Sequence, residues 1–186
     1  MKIKSPQELK EIERSIIMLV KQVSKKCLNP KPVILHSIRV GMKLIELKQP
    51  NEVIIAGILH DLVEDTDCTM EEIKRDFGKK VADLVSAVTQ EKIKDYKKRW
   101  HILMDKIKKA GRSAMVIKIV DMNENLPYVR LIKNQETFKI TCWKLQFALD
   151  SLRPYIGNLK TFKEYEKKYK IITSELKKRQ KLLVRY

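Results

Sequence analysis

Four ionisable residues follow an apolar segment in the first half of the chain. His60 and Asp61 come directly after residues 53–59, and Glu64 and Asp65 follow one turn later. On a continuous helix, neighbouring residues lie about 100° apart and residues four apart stack in rows, so an imidazole and three carboxylates would share one helix end. Such a group is a donor set for a divalent metal ion. A cation there would also offset the negative end of the helix dipole.

A competing interpretation treats these acids as surface residues that follow a core helix. Residues 53–59 are apolar on nearly every side, which is typical of a helix enclosed by other helices. Acids at the end of a buried helix cost free energy unless they are paired or bound to metal. Charged residues at helix ends are nevertheless common, so this segment alone leaves both interpretations open.

Other polar residues stand in similar contexts elsewhere in the chain. His36 lies near the start of the preceding predicted helix, and an antiparallel hairpin of the two helices would bring its ring close to His60. Asp121 follows another apolar run, and Asn125 comes four residues later. Two imidazoles and two carboxylates form a mixed nitrogen and oxygen set for a borderline or hard ion such as Mn²⁺, Fe²⁺ or Zn²⁺.

The elements that must position these residues are helices throughout. Apolar residues recur at spacings of three and four, and no segment alternates as a strand would. Ser5 and Glu8 predict a capping box, as do Thr69 and Glu72, while Pro127 is expected to end or bend its helix. We therefore predict an all-α helical bundle. The predicted helices cover residues 6–26, 33–47, 51–65, 70–77, 80–88, 92–110, 113–126, 137–152 and 161–185.

Length and composition indicate one globular domain over residues 1–186, with a C-terminal helix at about 161–185. Hydrophobic residues make up 44% and charged residues 34%, and no apolar run approaches the roughly 20 residues that span a bilayer. The first six residues lack the apolar region of a signal peptide. Three widely spaced cysteines exclude a disulfide framework and fit a reducing compartment. We expect a cytoplasmic protein with no membrane partner.

The formal net charge of +17 would attract polyanions such as nucleic acids or nucleotides. Lysines occur in nearly every segment, however, and no recognition motif accompanies them. We favour a solvated basic surface over a dedicated nucleic-acid site. His101 follows a basic run and is predicted to lie on the surface.

The assembled pattern resembles a known family. The order His36, His60-Asp61, Asp121 is similar to the His…His-Asp…Asp signature of the HD phosphohydrolase superfamily. The extension His60-Asp61-Leu62-Val63-Glu64-Asp65-Thr66 resembles the HDxxED motif of RelA/SpoT-type guanosine tetraphosphate hydrolases. The resemblance covers roughly residues 12–152. Further matches are Phe77-Gly78, Val88-Thr89, Lys118-Ile119-Val120-Asp121 and Asn125.

This resemblance implies an HD-domain helical bundle and an enzyme. The implied reaction removes the 3′-pyrophosphate of guanosine tetra- or pentaphosphate, (p)ppGpp, and gives GDP or GTP and pyrophosphate. Glu64 and Asp65 would position and activate the attacking water. The implied ligands of one Mn²⁺ are His36, His60, Asp61 and Asp121.

The resemblance also implies how the nucleotide substrate is held. Lys25 and Lys26 fall where the family places a basic pair against the substrate phosphates. Asn125 falls where the family contacts the nucleoside. Because the chain leaves no room for the synthetase and regulatory domains of long members, it looks like a stand-alone small alarmone hydrolase.

Three positions depart from the family pattern and keep other functions open. Ser37 stands where proline usually follows the first histidine, Met122 replaces a basic residue, and Pro127 replaces a frequent arginine. The last two lie beside the implied nucleoside pocket. One alternative is therefore an HD phosphohydrolase of another phosphorylated nucleotide, such as one removing the 2′-phosphate of NADPH. The others are a basic helical nucleic-acid-binding protein and a degenerate domain that only senses nucleotide, against which the intact ligand set argues.

Overall fold

The computed structural model describes residues 4–29 and 31–183, with side chains up to residue 175. Within this part of the chain there are ten α-helices and no strand, which confirms the all-α prediction. The backbone groups into two compact units that divide between Lys118 and Ile119, inside one helix. The prediction of a single domain stays a prediction. The helices are α1 Pro6–Lys25, α2 Val33–Glu46, α3 Asn51–Leu59, α4 Leu62–Asp65, α5 Met70–Phe77, α6 Lys79–Val88, α7 Tyr96–Ala110, α8 Arg112–Val129, α9 Gln135–Ile156 and α10 Lys160–Leu183.

Helix α3 forms the core of the first unit. It packs against α1, α2 and α6. Every residue from Val53 to Leu59 is buried, as the all-round apolar sequence predicts. Full burial of one branched aliphatic side chain stabilises a fold by about 1.5–3 kcal/mol, so α3 is a fixed element against which its end residues are placed.

Two glycines allow α2 and α3 to approach closely. A Cβ atom on Gly41 would lie 2.5 Å from Cγ1 of Ile58, and one on Gly57 would overlap Cδ1 of Leu44. Real Cβ atoms do not make such contacts, and the atoms in the way belong to well-buried core residues. The short distance between these helices therefore depends on the missing side chains.

Local signals at the helix ends agree with the sequence. The Ser5 hydroxyl accepts from the Glu8 N–H, and the Ser5 N–H donates to the Glu8 carboxylate, which confirms the capping box. Thr69 and Glu72 form the second one in the same way. Helix α7 ends at Ala110, and its C-cap Gly111 has a φ of +88°, a left-handed conformation that glycine adopts without strain.

Two predicted helices of the first unit are shorter in the structure. The helix predicted to run through residues 51–65 ends at Leu59, because His60 and Asp61 form a turn before α4. The His60 ring donates to the Gly57 carbonyl, so a side chain occupies an acceptor at the end of α3. Helix α7 begins at Tyr96 instead of residue 92, because the Asp95 carboxylate accepts from two N–H groups of its first turn.

The second unit contains the end of α8 together with α9 and α10, and α9 packs against α10. Helix α8 runs two residues past Pro127 and ends at Val129, so the proline lies in its last turn. Helix α10 begins at Lys160 and reaches Leu183; the predicted end at residue 185 lies outside the described residues. In the described part of the chain, no helix combines the length and the apolar character of a membrane span.

Candidate metal centre and its acidic neighbours

The two histidines predicted as ligands meet between α2 and the end of α3. His36 and His60 are 4% and 3% exposed, and their rings pack edge to face with centroids 5.3 Å apart. Their Nε2 atoms lie 3.4 Å from each other. The predicted helical hairpin therefore brings both rings together, and the two nitrogens face one another.

A backbone contact fixes which nitrogen of His60 carries the proton. Its Nδ1 lies 2.8 Å from the Gly57 carbonyl oxygen, which can only accept a hydrogen bond. Nδ1 is therefore the donor, and in the neutral ring Nε2 presents its lone pair towards His36. A backbone carbonyl that holds one ring nitrogen while the other faces a common point is the arrangement found behind metal-binding histidines.

Asp61 adds a carboxylate to the same point. One of its oxygens lies 3.1 Å from Nε2 of His60, and the other lies 3.9 Å from Nε2 of His36. Asp61 occupies the N-cap position of α4, yet its side chain makes no capping hydrogen bond. The turn after Leu59 directs the carboxylate to the histidines instead, with 26% of the side chain exposed.

The chemistry of these three residues fits a divalent cation. Two nitrogen ligands about 2.1 Å from one ion at a tetrahedral angle lie about 3.4 Å apart, which matches the observed separation of the Nε2 atoms. A lone pair and a carboxylate turned towards each other in a buried site repel unless a positive charge lies between them. His36, His60 and Asp61 are therefore suited to hold an ion such as Mn²⁺, Fe²⁺ or Zn²⁺.

Glu64 lies on the short helix after the turn and is half-buried. Its Oε1 accepts from the Gln90 backbone N–H at 2.6 Å, and its Oε2 accepts from the Gln90 side-chain amide at 3.2 Å. Burial raises the pKa of Glu64 above its ordinary value, and the negative charge of Asp61 adds to this; the Gln90 N–H and Lys118 oppose it. The carboxylate is thus held firmly by Gln90 in a partly desolvated position.

Asp65 is held from another direction. Its Oδ2 accepts from the Asn29 side-chain amide at 2.9 Å, and its backbone carbonyl accepts from the Leu28 N–H at 2.8 Å. Burial is the main cause that raises the pKa of Asp65, although the Asn29 hydrogen bond opposes it. Leu28 and Asn29, which lie between α1 and α2, therefore contact the acid directly.

The predicted phosphate-binding lysines lie at the end of α1, and both are exposed. Lys25 is the last residue of the helix and Lys26 is its C-cap. The Lys26 ammonium pairs with the Asp67 carboxylate at 2.6 Å. His101 is exposed on α7, as predicted.

Asp121 and Asn125 belong to the second unit. Asp121 lies on α8 and is 4% exposed. The Asn125 side-chain amide donates to the Asp121 backbone carbonyl at 3.1 Å and to the Asp121 carboxylate at 2.5 Å. The i,i+4 spacing on one helix therefore pairs these two side chains with each other. Burial raises the pKa of the nearby Tyr165 hydroxyl, and electrostatic repulsion from Tyr169 and from Asp121 adds to this.

Sequence reasoning assigned no role to three residues that shape the site. Asn29 and Gln90 bind the two acids, and Lys118 is buried with its ammonium 5.4 Å from the Trp100 ring centre. The available signals were indirect. Asn29 precedes a proline in the break after α1, and Gln90 directly follows the Val88-Thr89 match.

Comparison with known proteins finds a matching family model and similar proteins of named activity. A family model described as HD domain (HD_4) matches residues 16–137. The guanosine-3′,5′-bis(diphosphate) 3′-pyrophosphohydrolase of Aquifex aeolicus is 45% identical over 86 residues, which are 46% of this chain and 12% of that protein. The Drosophila melanogaster protein of the same name, MESH1, is 35% identical over 97 residues, which are 51% of this chain and 54% of that protein.

A solved structure shares the fold. It belongs to a metazoan ortholog of SpoT, superposes with a TM-score of 0.70 at 24% identity, and covers 94% of this chain and 98% of that chain. The chain spans less than two thirds of the length of both curated relatives.

Proposed function

Because the chain belongs to the HD domain family, we propose that it is a metal-dependent hydrolase of (p)ppGpp. The reaction takes the guanosine tetra- or pentaphosphate and water to GDP or GTP and pyrophosphate. The names of the Aquifex and Drosophila relatives state this activity, which supports the proposal. The alignments include less than two thirds of each relative, so the proposal also depends on the chemistry of the site itself.

The observation that carries the proposal is the convergence of His36, His60 and Asp61 beside two held acids. The nitrogen and carboxylate atoms face one point within 3.9 Å, and Glu64 and Asp65 follow within one turn of helix. A metal-binding group with adjacent carboxylates can activate water and stabilise the charge that develops in hydrolysis of a phosphate ester.

We propose that Mn²⁺ is the ion and that His36, His60, Asp61 and Asp121 hold it. A bound divalent ion lowers the pKa of water and offsets charge on phosphoryl oxygens. The Gly57 carbonyl orients His60 for this role, and the Asn125 amide restrains the Asp121 carboxylate. Glu64 and Asp65 position the attacking water and accept its proton.

The substrate contacts follow from charge and position. Lys25 and Lys26 bind the phosphates of the nucleotide, and Lys26 exchanges its partner Asp67 for a phosphate oxygen when it does so. Asn125 contacts the nucleoside. Both lysines are exposed, so they are accessible to a charged ligand.

The proposal is tested by pyrophosphate release from ppGpp by metal-stripped protein with and without added Mn²⁺. We expect release only with the ion, and its loss in Asp61→Ala. Asp83→Ala is the matched control, because Asp83 is an exposed carboxylate on α6 that pairs only with Lys79 among the described residues. Metal-replete protein that releases no pyrophosphate would refute the proposal.

A second candidate substrate is another phosphorylated nucleotide, such as NADPH, from which the enzyme would remove the 2′-phosphate. The observation that favours it is Pro127 in the last turn of α8, two residues after Asn125, where a basic side chain often stands in the family. Phosphate release from NADPH, measured in parallel, distinguishes the two: a higher kcat/KM for NADPH than for ppGpp would select it.

A further inference from the structure

The two acids after the metal-binding turn are held in unequal ways. Both carboxylate oxygens of Glu64 accept hydrogen bonds from Gln90, one from its backbone and one from its side chain. Asp65 receives one side-chain hydrogen bond, on Oδ2, from Asn29. Among the described residues, no hydrogen bond reaches the other oxygen of Asp65, Oδ1. One acid is therefore occupied on both oxygens, whereas the other keeps one oxygen available.

We propose that Asn29 and Gln90 are positioning residues that give the two acids different tasks. Asn29 holds Asp65 by one oxygen so that Oδ1 takes the proton of the attacking water. Gln90 holds Glu64 by both oxygens, so that Glu64 orients the water without becoming its proton acceptor. This assignment rests on the proposed hydrolase function and divides a role that the HDxxED resemblance gives to both acids together.

Hydrolysis of the bond between phosphorus and the 3′-oxygen needs only water and the acid that accepts its proton. The water oxygen forms a bond to phosphorus as the bond between phosphorus and the 3′-oxygen breaks. The electron pair of the broken bond goes to the 3′-oxygen, which takes up a proton from solvent. Asp65 receives one proton from water and returns it to solvent after pyrophosphate leaves, so no other reactant is needed.

The side chain of Asn29 is anchored at both ends. Its Nδ2 donates to Asp65, and its Oδ1 accepts from the Lys31 backbone N–H at 3.1 Å, which closes a turn in the loop. The neighbouring Leu28 N–H donates to the Asp65 carbonyl. Since both ends of the amide are used, the donor reaches Asp65 in a fixed direction.

Gln90 is anchored through the residues on either side of it. The Lys106 ammonium, on α7, donates to the Thr89 carbonyl at 3.1 Å and to the Glu91 carboxylate at 2.7 Å. The Thr89 hydroxyl also donates to the Val85 carbonyl at the end of α6. The loop that presents Gln90 to Glu64 is therefore fixed to two helices.

The decisive variant is Asn29→Asp. An aspartate keeps an oxygen for the Lys31 N–H, so the turn is retained, but it has no N–H for Asp65 and places a second negative charge there. With ppGpp and Mn²⁺, we expect kcat to fall about tenfold or more and KM to change less than about twofold, as for lost orientation in the transition state. Asn134→Asp is the matched control, because Asn134 caps α9 through its oxygen.

Two Gln90 variants separate backbone from side chain. Gln90→Ala keeps the 2.6 Å backbone hydrogen bond to Glu64, so we expect a fall in kcat of less than about threefold. Gln90→Glu places a second carboxylate against Glu64, so we expect a larger fall in kcat than in Gln90→Ala. Equal kcat values for the two variants would overturn the role of the Gln90 side chain.

A readout without metal or substrate tests the Asn29 contact itself. In ¹H–¹⁵N spectra of the metal-free protein, we expect the side-chain amide signals of Asn29 to shift in Asp65→Ala and to stay in place in Glu64→Gln. Unchanged Asn29 signals in Asp65→Ala would overturn the inference. So would an active wild-type enzyme whose kcat is unaffected by Asn29→Asp, whereas an inactive wild type would refute the proposed function.

Discussion

The histidines and the acids of the first unit lie side by side, yet the protein holds them by different means. His36 and His60 stand between helices that interlock through Gly41 and Gly57, and both rings are almost fully buried. Glu64 and Asp65 are half-buried and are restrained by hydrogen bonds from residues of two loops. Packing positions the proposed metal ligands, whereas polar contacts position the acids that are proposed to act on the attacking water.

This difference predicts which functions can be altered separately. A packed core resists changes of even one methyl group, so a change in the helix interface alters the fold and the ion site together. A hydrogen bond at a half-exposed site contributes about 1 kcal/mol, so its removal changes turnover and leaves the fold in place. Three experiments examine this contrast, beginning with the strongest effect.

The largest effect is expected from His60→Ala. The variant removes a proposed ligand nitrogen and the Nδ1 hydrogen bond to Gly57, so we expect the affinity of the metal-free protein for Mn²⁺ to fall at least about 100-fold in calorimetric titration. His101→Ala, on the exposed surface of α7, should bind Mn²⁺ as the wild type does. Equal affinity of the His60 variant would place the ion elsewhere.

Gly57→Ala tests whether packing controls the site. The new methyl group overlaps Leu44, so we expect the free energy of unfolding in urea to fall by about 1–3 kcal/mol, although glycine-to-alanine changes in helices are usually favourable. Displacement of α2 from α3 should also weaken Mn²⁺ binding. Ser174→Ala, at an exposed helical position of α10, is the control. A Gly57 variant as stable as the wild type would show that the interface adapts.

The smallest effect is expected in the pH dependence of the free energy of unfolding, through Glu64. Burial raises the pKa of Glu64, so the folded protein binds this proton more tightly than the unfolded chain does. The stabilisation is complete below the ordinary pKa of 4.5 and is lost as the pH rises through the raised value. We expect the free energy of unfolding of the metal-free protein to decline over this range.

Substitution of Glu64 isolates that contribution. Glu64→Gln cannot titrate, so urea unfolding at several pH values should show a flatter decline for this variant than for the wild type. Glu71→Gln, which changes an exposed carboxylate on α5, should retain the wild-type slope. Parallel curves for all three proteins would mean that Glu64 is as hydrated in the folded state as in the unfolded chain.

Short-range patterns predicted most of the fold. The helices appear where spacings of three and four predict them, and both capping boxes form at Ser5 and Thr69. The meeting of His36 and His60 also follows from the sequence, because a short turn between two consecutive helices favours an antiparallel hairpin. The capping boxes depend on residues that are close in the chain, and the hairpin depends on one short turn.

The turn at His60 and Asp61 was not predictable in this way. The i,i+4 pattern continues unbroken to Asp65, whereas in the structure α3 ends at Leu59, where the His60 ring donates to the Gly57 carbonyl. The contacts of Asn29 and Gln90 come from loops 36 and 26 residues away from their acids. A single sequence gives no distance between such loops, so the partners of the acids appeared only in the structure.

Gly41 and Gly57 set a condition for recognising similar sites in other sequences. A chain with both histidines and the acidic motif, but with larger side chains at these two positions, would match the motif and yet hold its helices too far apart for the rings to meet. A search or a design that scores only ligand positions would accept such a chain. The absence of a side chain at two helical positions is thus as informative about the candidate metal centre as the proposed ligands themselves.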